Sequence, residues 1–311
     1  MGAPLTGTAT TPPRPATGAA MVALANQKGG VGKTTTAVNA AVSLARLGYR
    51  VLLVDVDPQG NATSSLGIDK PSLRHTAYDV LVDGLPISRA IATTARPNLD
   101  LIPSTPALAG AEIELVDAPA REYRLAHALD AVADRYDVVL IDCPPSLGLL
   151  TVNALTAARS VVVPIQCEFL ALEGVGQLIT TIDLVKRGLN PALDVVGVLM
   201  TMYDARTRLS AHVVDEVRRY FTHRIFGSIV PRSIRLAEAP SFGQAIAEYD
   251  ATSRGAMAYE AFVAELIERL HLPPPVPAPG GRPDRPGNGA GPTVPTVATA
   301  RPGGIDLTAE G

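Results

Sequence analysis

The residues best suited to chemistry form a glycine-rich segment near the start of the chain, with the sequence QKGGVGKTT from Gln27 to Thr35. An apolar run precedes it and an amphipathic run follows it, which predicts a strand, a tight turn and a helix. Backbone N–H groups of such a turn and of the helix N-terminus bind phosphate. In that setting Lys33 would contact the β- and γ-phosphates of a nucleotide, and the Thr34 hydroxyl would bind Mg²⁺. The other expected nucleotide contacts are Lys28, Gly29, Gly30, Val31, Gly32 and Thr35.

Acidic residues end two further apolar runs, Val51–Asp55 and Val138–Asp142. The carboxyl ends of parallel strands line the crevice in which nucleotides bind in open sheets. The second run is typical of a strand whose last aspartate holds Mg²⁺, usually through water, so Asp142 is a predicted metal ligand. After the first run comes Val56-Asp57-Pro58-Gln59-Gly60-Asn61, where Asp55 and Asp57 could also serve only to cap a turn.

The secondary structure around these residues is predicted from the alternation of apolar and amphipathic runs. Several apolar runs are continuous rather than alternating, as in strands that are covered on both faces. Expected strands are Val22–Ala25, Val51–Asp55, Leu99–Ile102, Val138–Asp142, Ser160–Pro164, Val195–Met200 and Ser228–Val230. Expected helices are Thr34–Leu47, Leu125–Arg135, Gly174–Lys186, Ser210–Thr222 and Ala256–Leu270. This order predicts an α/β fold with a doubly wound, mostly parallel sheet in a single domain.

Composition narrows the class of protein. The 311 residues are 47% hydrophobic with only 4% aromatic residues, which predicts an aliphatic core and excludes global disorder. Residues 1–20 and 273–311 are rich in Pro and Gly and are expected to be disordered tails around an α/β domain at 21–272. Two isolated cysteines and no apolar run of about 18 residues predict a cytoplasmic protein without a membrane span.

The segment KGGVGKTT resembles the deviant Walker A motif of the ParA/MinD class of P-loop ATPases, whose signature is the additional lysine, here Lys28. The stretches DVDPQGN from Asp55 and DCPPS from Asp142 resemble the two switch segments of ParA proteins. Further stretches resemble chromosomal Soj-type ParA proteins, namely 201–207, 230–241 and 249–256. The resemblance therefore extends over about residues 21–270, with ordered motifs throughout.

This resemblance implies a role for several residues. Lys28 would reach the nucleotide of the other subunit in a homodimer, although it could also be a solvated loop lysine. Asp57 would position or activate the attacking water, and Asp55 would support the Mg²⁺ shell. Pro231 and Ser233 would border the adenine, where the family has Pro-Arg-Asn and this chain has Pro-Arg-Ser.

An excess of arginine lies between Arg206 and Arg235, where seven arginines stand against Asp215 and Glu216, for a local charge of +5 in a chain of net charge −3. Such a stretch could bind the phosphate backbone of DNA, without the motifs that read bases. It could also be a solvated surface whose charges are paired with acids elsewhere. In the Soj-type family, arginines at the positions of Arg206 and Arg235 bind nonspecific double-stranded DNA.

The residues and the resemblance together predict a slow ATPase that depends on ATP and Mg²⁺. The resemblance further implies that it dimerises with ATP, associates with the nucleoid and segregates chromosomes or plasmids with a ParB-type partner. The alternative is a related ATPase that positions a protein cargo, such as chemoreceptors or a protein organelle. A MinD-like membrane-bound ATPase would require a C-terminal amphipathic helix. The segment Pro273–Gly311 has no amphipathic period, which disfavours that alternative. The cysteines do not match the motifs of an electron-transfer ATPase of the nitrogenase-reductase type.

Overall fold

The computed structural model describes residues 18–168, 175–222 and 224–275. Within these ranges lie the strands β1 Ala20–Leu24, β2 Val51–Asp55, β3 Ala92–Thr93, β4 Leu99–Ile102, β5 Val138–Asp142, β6 Ser160–Gln166, β7 Asp194–Tyr203 and β8 Ile225–Pro231. The α-helices are α1 Lys33–Arg46, α2 Asn61–Ser65, α3 Ala77–Leu81, α4 Ile87–Ala90, α5 Ala111–Glu114, α6 Arg124–Asp130, α7 Leu149–Ala157, α8 Val175–Gly188, α9 Arg208–Phe221, α10 Ile234–Glu238, α11 Ile246–Tyr249 and α12 Arg254–Arg269. Short 3-10 turns occur at Lys70–Ser72, Pro106–Gly110, Arg121–Tyr123, Ala133–Arg135 and Ala239–Phe242.

The strands form one sheet in the order β3-β4-β2-β5-β1-β6-β7-β8, and every pair is parallel except β3 with β4. This arrangement confirms the predicted doubly wound, mostly parallel α/β fold. The register of β2 on β5 pairs Asp55 with Asp142, and β1 on β5 pairs Leu24 with Asp142. The ends of three central strands therefore meet at one edge of the sheet, which is where the phosphate-binding turn begins.

Helices cover both faces of the sheet, which explains why its central strands are apolar throughout. In β2, Leu52 and Val54 pack into a core with α3, α6, α7, α8 and α9. Their neighbours Val51 and Leu53 point to the other face, where the core includes α1 and α12. Since all five residues of β2 and all five of β5 are buried, the expectation of strands covered on both faces is confirmed.

Some expected elements were placed wrongly. The helix expected at Leu125–Arg135 ends at Asp130, because Val132 turns into the core and the Ala133 carbonyl accepts a hydrogen bond from the Ala19 N–H at the entrance to β1. The helix α7 was missed because its own apolar residues are spread around its whole circumference, so its sequence has no amphipathic period. The two-residue strand β3 was missed because its length leaves no pattern.

The domain limits stay predictions, since most of both expected tails lies outside the described residues. The structure differs from the expectation at one boundary residue, because Ala20, assigned to the N-terminal extension, is the first residue of β1. The first residue of the expected helix Gly174–Lys186 is also outside the described ranges. Among the described helices, none combines the length and the apolar character that crossing a membrane requires.

Candidate nucleotide-binding site

The glycine-rich turn connects β1 directly to α1, as predicted. Gly30 and Gly32 have φ values of 72° and 90°, in the left-handed region that favours glycine. Gly32 is also the N-cap of α1, so no side chain caps the first N–H groups of this helix. The first turn of α1 carries no acidic residue. These N–H groups are consequently available to an anion, and the positive end of the helix dipole favours one.

Two side chains fasten the turn to neighbouring strands. The Asn26 side chain donates to the Pro164 carbonyl on β6 at 2.7 Å and accepts from the Lys28 N–H at 3.0 Å. On β7, the Thr201 hydroxyl donates to the Val31 carbonyl at 2.8 Å. Since Asn26 and Thr201 are both buried, these bonds hold the turn in a preformed shape.

The ammonium of Lys33 lies within the turn, where its Nζ donates to the Lys28 carbonyl at 3.2 Å. Burial lowers the pKa of Lys33, and the nearby charge of Asp142 opposes that effect. Lys33 is only 6% exposed, so it is a cation held close to the turn rather than a surface group. Such a group can bind phosphate oxygens once they displace the Lys28 carbonyl. Lys28 itself is half-buried beside it.

Asp142 is completely buried at the end of β5, and neither of its carboxylate oxygens has a hydrogen-bond partner among the described residues. Burial raises the pKa of Asp142 well above its ordinary value, and the negative charge of Asp55 adds to this shift. Thr34 and Lys33 favour the ionised form. An unpartnered buried carboxylate beside Thr34 fits a Mg²⁺ ion with its water ligands, because a hard cation prefers oxygen donors.

Asp55 is also fully buried, but its carboxylate is occupied. Its Oδ2 accepts from the Thr63 N–H at 2.9 Å and from the Thr63 hydroxyl at 2.7 Å, and its Oδ1 accepts from the Asp57 N–H at 3.2 Å. Burial raises the pKa of Asp55 to about 6 against these hydrogen bonds. Asp55 thus holds both ends of the segment 57–63, and its support of a metal ion stays a prediction.

Asp57 lies where this segment faces the glycine-rich turn. Its Oδ1 accepts from the Gln59 N–H at 2.9 Å, and the residue is 6% exposed. Asp57, Lys33 and Thr34 line the same cavity, which has a volume of about 570 Å³. A carboxylate opposite a phosphate-binding turn has the chemistry to orient a water molecule for attack.

The remaining walls of the cavity differ in part from the expected set. Neither Pro231 nor Ser233 is among its lining residues, and their contact with adenine stays a prediction. Eight residues that were not predicted as site residues also line it, namely Gln59, Asn61, Ser64, Ser65, Pro145, Met202, Pro240 and Ser241. Met202 follows Thr201 on β7, where a strand end adjoins the turn, so strand position was a usable signal for it.

A further interaction joins the segment after Asp57 to the C-terminal part of the domain. Arg96 pairs with Glu248 at 2.8 Å and donates to the carbonyls of Leu66, at 2.9 Å, and Gly243, at 2.6 Å. The Arg96 side chain is only 14% exposed. The loop that follows α2 is therefore fastened to the region that contains α10 and α11.

The two arginines expected to bind DNA are both on the surface, with side chains 86% exposed for Arg206 and 58% for Arg235. Arg206 makes a bidentate ion pair with Asp204, at 2.9 and 2.7 Å, which lowers the pKa of Asp204 to about 2. Arg235 lies 3.7 Å from Asp250 and 3.8 Å from Glu238.

Acidic residues from outside the arginine-rich segment also neutralise other arginines in it. Arg224 pairs with Asp194 at 3.0 Å, and Arg232 pairs with Glu168 at 2.8 Å. The local charge of +5 therefore overstates the positive field at this surface, because the fold brings acids to it that the sequence window did not contain.

Comparisons with known proteins agree with this geometry. Residues 19–195 match the family model described as an AAA domain. The chain is 56% identical to the sporulation initiation inhibitor protein Soj of Bacillus subtilis over 77% of this chain and 94% of that protein. It is 53% identical to the chromosome partitioning protein ParA of Myxococcus xanthus, over 80% of this chain and 88% of that protein.

Solved structures support the same fold. A structure of cobyrinic acid a,c-diamide synthase from Mycobacterium smegmatis with bound ADP and magnesium is 41% identical, with a TM-score of 0.73 over 81% of this chain and 96% of that chain. The septum site-determining protein MinD of Pyrococcus horikoshii, complexed with Mg-ADP, is 23% identical with a TM-score of 0.65 over 79% of this chain and 95% of that chain. At that identity, the second likeness concerns the fold alone.

Proposed function

Because this chain belongs to the Soj/ParA family of P-loop ATPases, we propose that ATP assembles it into a homodimer that binds DNA without sequence preference and segregates chromosomes or plasmids with a ParB-type partner. The protein is an ATPase whose cofactors are ATP and Mg²⁺. The observation that carries the proposal is the preformed cavity of about 570 Å³, in which Lys33, Thr34 and Asp57 meet.

We assign phosphate binding, metal binding and water orientation to different residues of this chain. The uncapped N–H groups of α1 bind phosphate oxygens, and Lys33 leaves the Lys28 carbonyl to bind the β- and γ-phosphates. Thr34 and Asp142 would hold Mg²⁺, which would neutralise charge on the phosphates. Asp57 orients the water, and Asp55 keeps the segment of Asp57 in place.

Slow hydrolysis follows from what one chain supplies. Phosphoryl transfer depends on neutralising charge at the γ-phosphate and aligning the water. In our proposal the Lys28 ammonium helps to neutralise the γ-phosphate charge only when it comes from the second subunit of a dimer. Hydrolysis is then coupled to dimerisation, and a ParB-type partner that favours the competent dimer would stimulate it. We propose that this cycle takes place in the cytoplasm, on the nucleoid.

DNA binding is assigned to Arg206 and Arg235, whose exposed guanidinium groups can exchange an intramolecular carboxylate for a phosphate. Each arginine alone would bind weakly because it already has a partner. A dimer places two such surfaces on one DNA molecule, which multiplies their effect without any additional interaction. Binding that appears only with ATP would follow from this geometry.

The name of the M. smegmatis structure would suggest amide synthesis instead. A thiolate that releases ammonia from glutamine is one source of nitrogen for such a reaction. The chain's two cysteines, Cys143 and Cys167, are buried, and burial raises the pKa of both thiols, that of Cys167 to about 12. Neither cysteine is therefore suited to be that nucleophile, and we retain the partitioning function.

Sedimentation of the wild type and of Asp57→Ala tests the proposal, with ATP or ADP and with or without a random DNA duplex. We expect a monomer with ADP, and with ATP a dimer on DNA that Asp57→Ala traps. Affinity should fall steeply with salt, and Arg235→Ala should weaken it and lower the salt slope by about 1 for each phosphate that the variant no longer binds. Arg50→Ala is a matched control, because Arg50 lies outside the arginine-rich stretch, is 53% exposed and pairs with Asp137 at 2.8 Å; it should bind DNA as the wild type does.

Two results would contradict the proposal. A monomer under every condition would exclude the dimer mechanism, and equal DNA binding with ADP, ATP and no nucleotide would exclude the nucleotide switch. ATP-dependent dimers that ignore DNA would favour the alternative, an ATPase that positions a protein cargo. Pull-down of the partner encoded by the adjacent gene then distinguishes the cargo.

A further inference from the structure

Ser104 lies two residues beyond the end of β4 and is completely buried. Its hydroxyl donates to the main-chain carbonyl of Asp57 at 2.7 Å, across 47 residues of sequence. Its backbone N–H donates to the Thr63 hydroxyl oxygen at 2.9 Å. Its carbonyl approaches Gly60 so closely that a Cβ there would lie 2.5 Å from the oxygen. One serine thus touches the segment 57–63 at its start, middle and end.

The Thr63 hydroxyl extends this network to the buried carboxylate. It accepts from the Ser104 N–H and donates to Asp55 Oδ2 at 2.7 Å. These two hydrogen bonds link the loop after β4 to the end of β2. Asp55 Oδ1 in turn accepts from the Asp57 N–H. The main chain of Asp57 is therefore held at both its N–H and its carbonyl, by groups that are themselves buried and hydrogen-bonded.

The hydroxyl of Ser104 is not needed to satisfy an otherwise unpaired acceptor. The Asp57 carbonyl also accepts from the Gly60 N–H at 2.8 Å. The substitution Ser104→Ala would leave that carbonyl bonded and would keep the backbone N–H that Thr63 needs. What it removes is the attachment of Asp57 to the end of β4, and so the restraint on where the Asp57 carboxylate stands in the cavity.

We propose that Ser104, acting with Thr63, is a positioning residue that sets the place of the Asp57 carboxylate opposite the phosphate-binding turn. The inference rests on the proposed role of Asp57 in orienting the attacking water. Small displacements of a catalytic group cost large factors in rate, on the order of 100-fold for about 1 Å. Nucleotide binding depends on other groups, namely the turn, Lys33 and Thr34, so Ser104 should affect turnover rather than affinity.

Ser104→Ala is the first test, measured as single-turnover hydrolysis of labelled ATP together with equilibrium ADP binding. We expect about a tenfold fall in the hydrolysis rate with ADP affinity changed by less than about twofold. Thr94→Val is the matched control, because the buried Thr94 hydroxyl donates to the Leu99 carbonyl at 2.7 Å, on the first residue of β4 rather than beyond its last. It should keep a rate within about twofold of the wild type.

A pair of variants at Thr63 separates the hydroxyl from the bulk of the side chain. Thr63→Ser keeps the group that links Ser104 to Asp55 and should retain the wild-type rate. Thr63→Val keeps the shape without the hydroxyl and should lose at least as much rate as Ser104→Ala. Equal rates for these two variants would overturn the proposed network.

A double substitution shows whether Ser104 acts through Asp57. In an Asp57→Ala background, Ser104→Ala should leave the remaining rate unchanged, whereas a further tenfold loss would overturn the inference. If Asp57→Ala lowers the rate but Ser104→Ala does not, the inference fails while the role of Asp57 stands. If Asp57→Ala itself hydrolyses ATP at the wild-type rate, both fail together.

Discussion

Replacing the Asp142 carboxylate should stabilise the nucleotide-free protein and weaken its response to magnesium. Its carboxylate is fully buried and, among the described residues, has no hydrogen-bond partner. The substitution Asp142→Asn keeps the size of the side chain and removes its charge. Burial disfavours the charge of Asp142 more than Thr34 and Lys33 favour it, whereas an amide carries no charge, so we expect the variant to unfold at the same or a higher temperature.

The pH dependence of this effect has a definite sign. Burial and the charge of Asp55 place the pKa of Asp142 in the folded protein well above 3.8, its ordinary value. At pH values between these two, the folded state binds more protons than the unfolded state, so the free energy of unfolding falls as pH rises. Asp142→Asn should make this decline of the free energy of unfolding less steep. Asp55, with a pKa of about 6, should still contribute to the decline.

The response to nucleotide gives the magnitude. A ligand at 100 times its dissociation constant stabilises the folded state by about 2.7 kcal/mol. For a domain of this size 1 kcal/mol corresponds to roughly 2–4 °C, so Mg-ADP should raise the unfolding temperature of the wild type by about 5–10 °C. In Asp142→Asn the difference between the shift with magnesium and the shift with EDTA should be smaller, because one of the two predicted metal ligands is gone while Thr34 remains.

Thermal unfolding of both proteins, between pH 5 and 8 and with ADP plus magnesium or EDTA, measures all three effects. Asp137→Asn is the control, because Asp137 is ion-paired with Arg50 at 2.8 Å and its pKa is lowered, so its loss should destabilise slightly. A variant clearly less stable than the wild type without nucleotide would contradict the expected cost of the buried charge. A variant with an undiminished magnesium-dependent shift would contradict the assignment of Asp142 as a metal ligand.

Two further predictions concern stability and are measured by urea unfolding. Gly60→Ala should lower the free energy of unfolding by more than about 2 kcal/mol, because its Cβ would clash with the Ser104 carbonyl and because φ is +60°. Gly84→Ala should lower it by only about 1 kcal/mol, because Gly84 has φ +68° but open space around it. Arg96→Ala should lower the free energy of unfolding by about 2–3 kcal/mol, because it breaks a largely buried ion pair and two hydrogen bonds to carbonyls. Arg50→Ala should lower it by less than about 1 kcal/mol, because the Arg50 side chain in its ion pair is 53% exposed. Equal losses within either pair would contradict the prediction.

Much of the site could be predicted because its signals are local. The turn from Gln27 to Thr35 lies within ten residues, and its glycines and lysines indicate phosphate binding by their own chemistry. The strands β2 and β5 were placed correctly because burial on both faces leaves an unbroken apolar run. The rule that parallel strands present their carboxyl ends at one edge then brought Asp55 and Asp142 together, and the register confirms this.

The same rule could have found Ser104 and Thr201, which lie at or just beyond the ends of β4 and β7. Neither was selected, because a hydroxyl residue at a strand end carries no chemistry until its partner is known. Those partners are distant in sequence: Ser104 bonds to Asp57 across 47 residues, and Thr201 bonds to Val31 across 170. No pattern of neighbouring residues contains such a pair.

Residue type and short spacing along the chain were sufficient to predict an ATPase, its phosphate-binding turn and its acidic strand ends. Which charges have partners could be read only from the folded protein. The fold leaves Asp142 without a hydrogen-bond partner among the described residues, occupies Asp55 with Thr63, and neutralises arginines that are unopposed along the chain, Arg224 among them. This is because hydrogen bonds and ion pairs act over a few ångströms in space, whatever the separation along the chain.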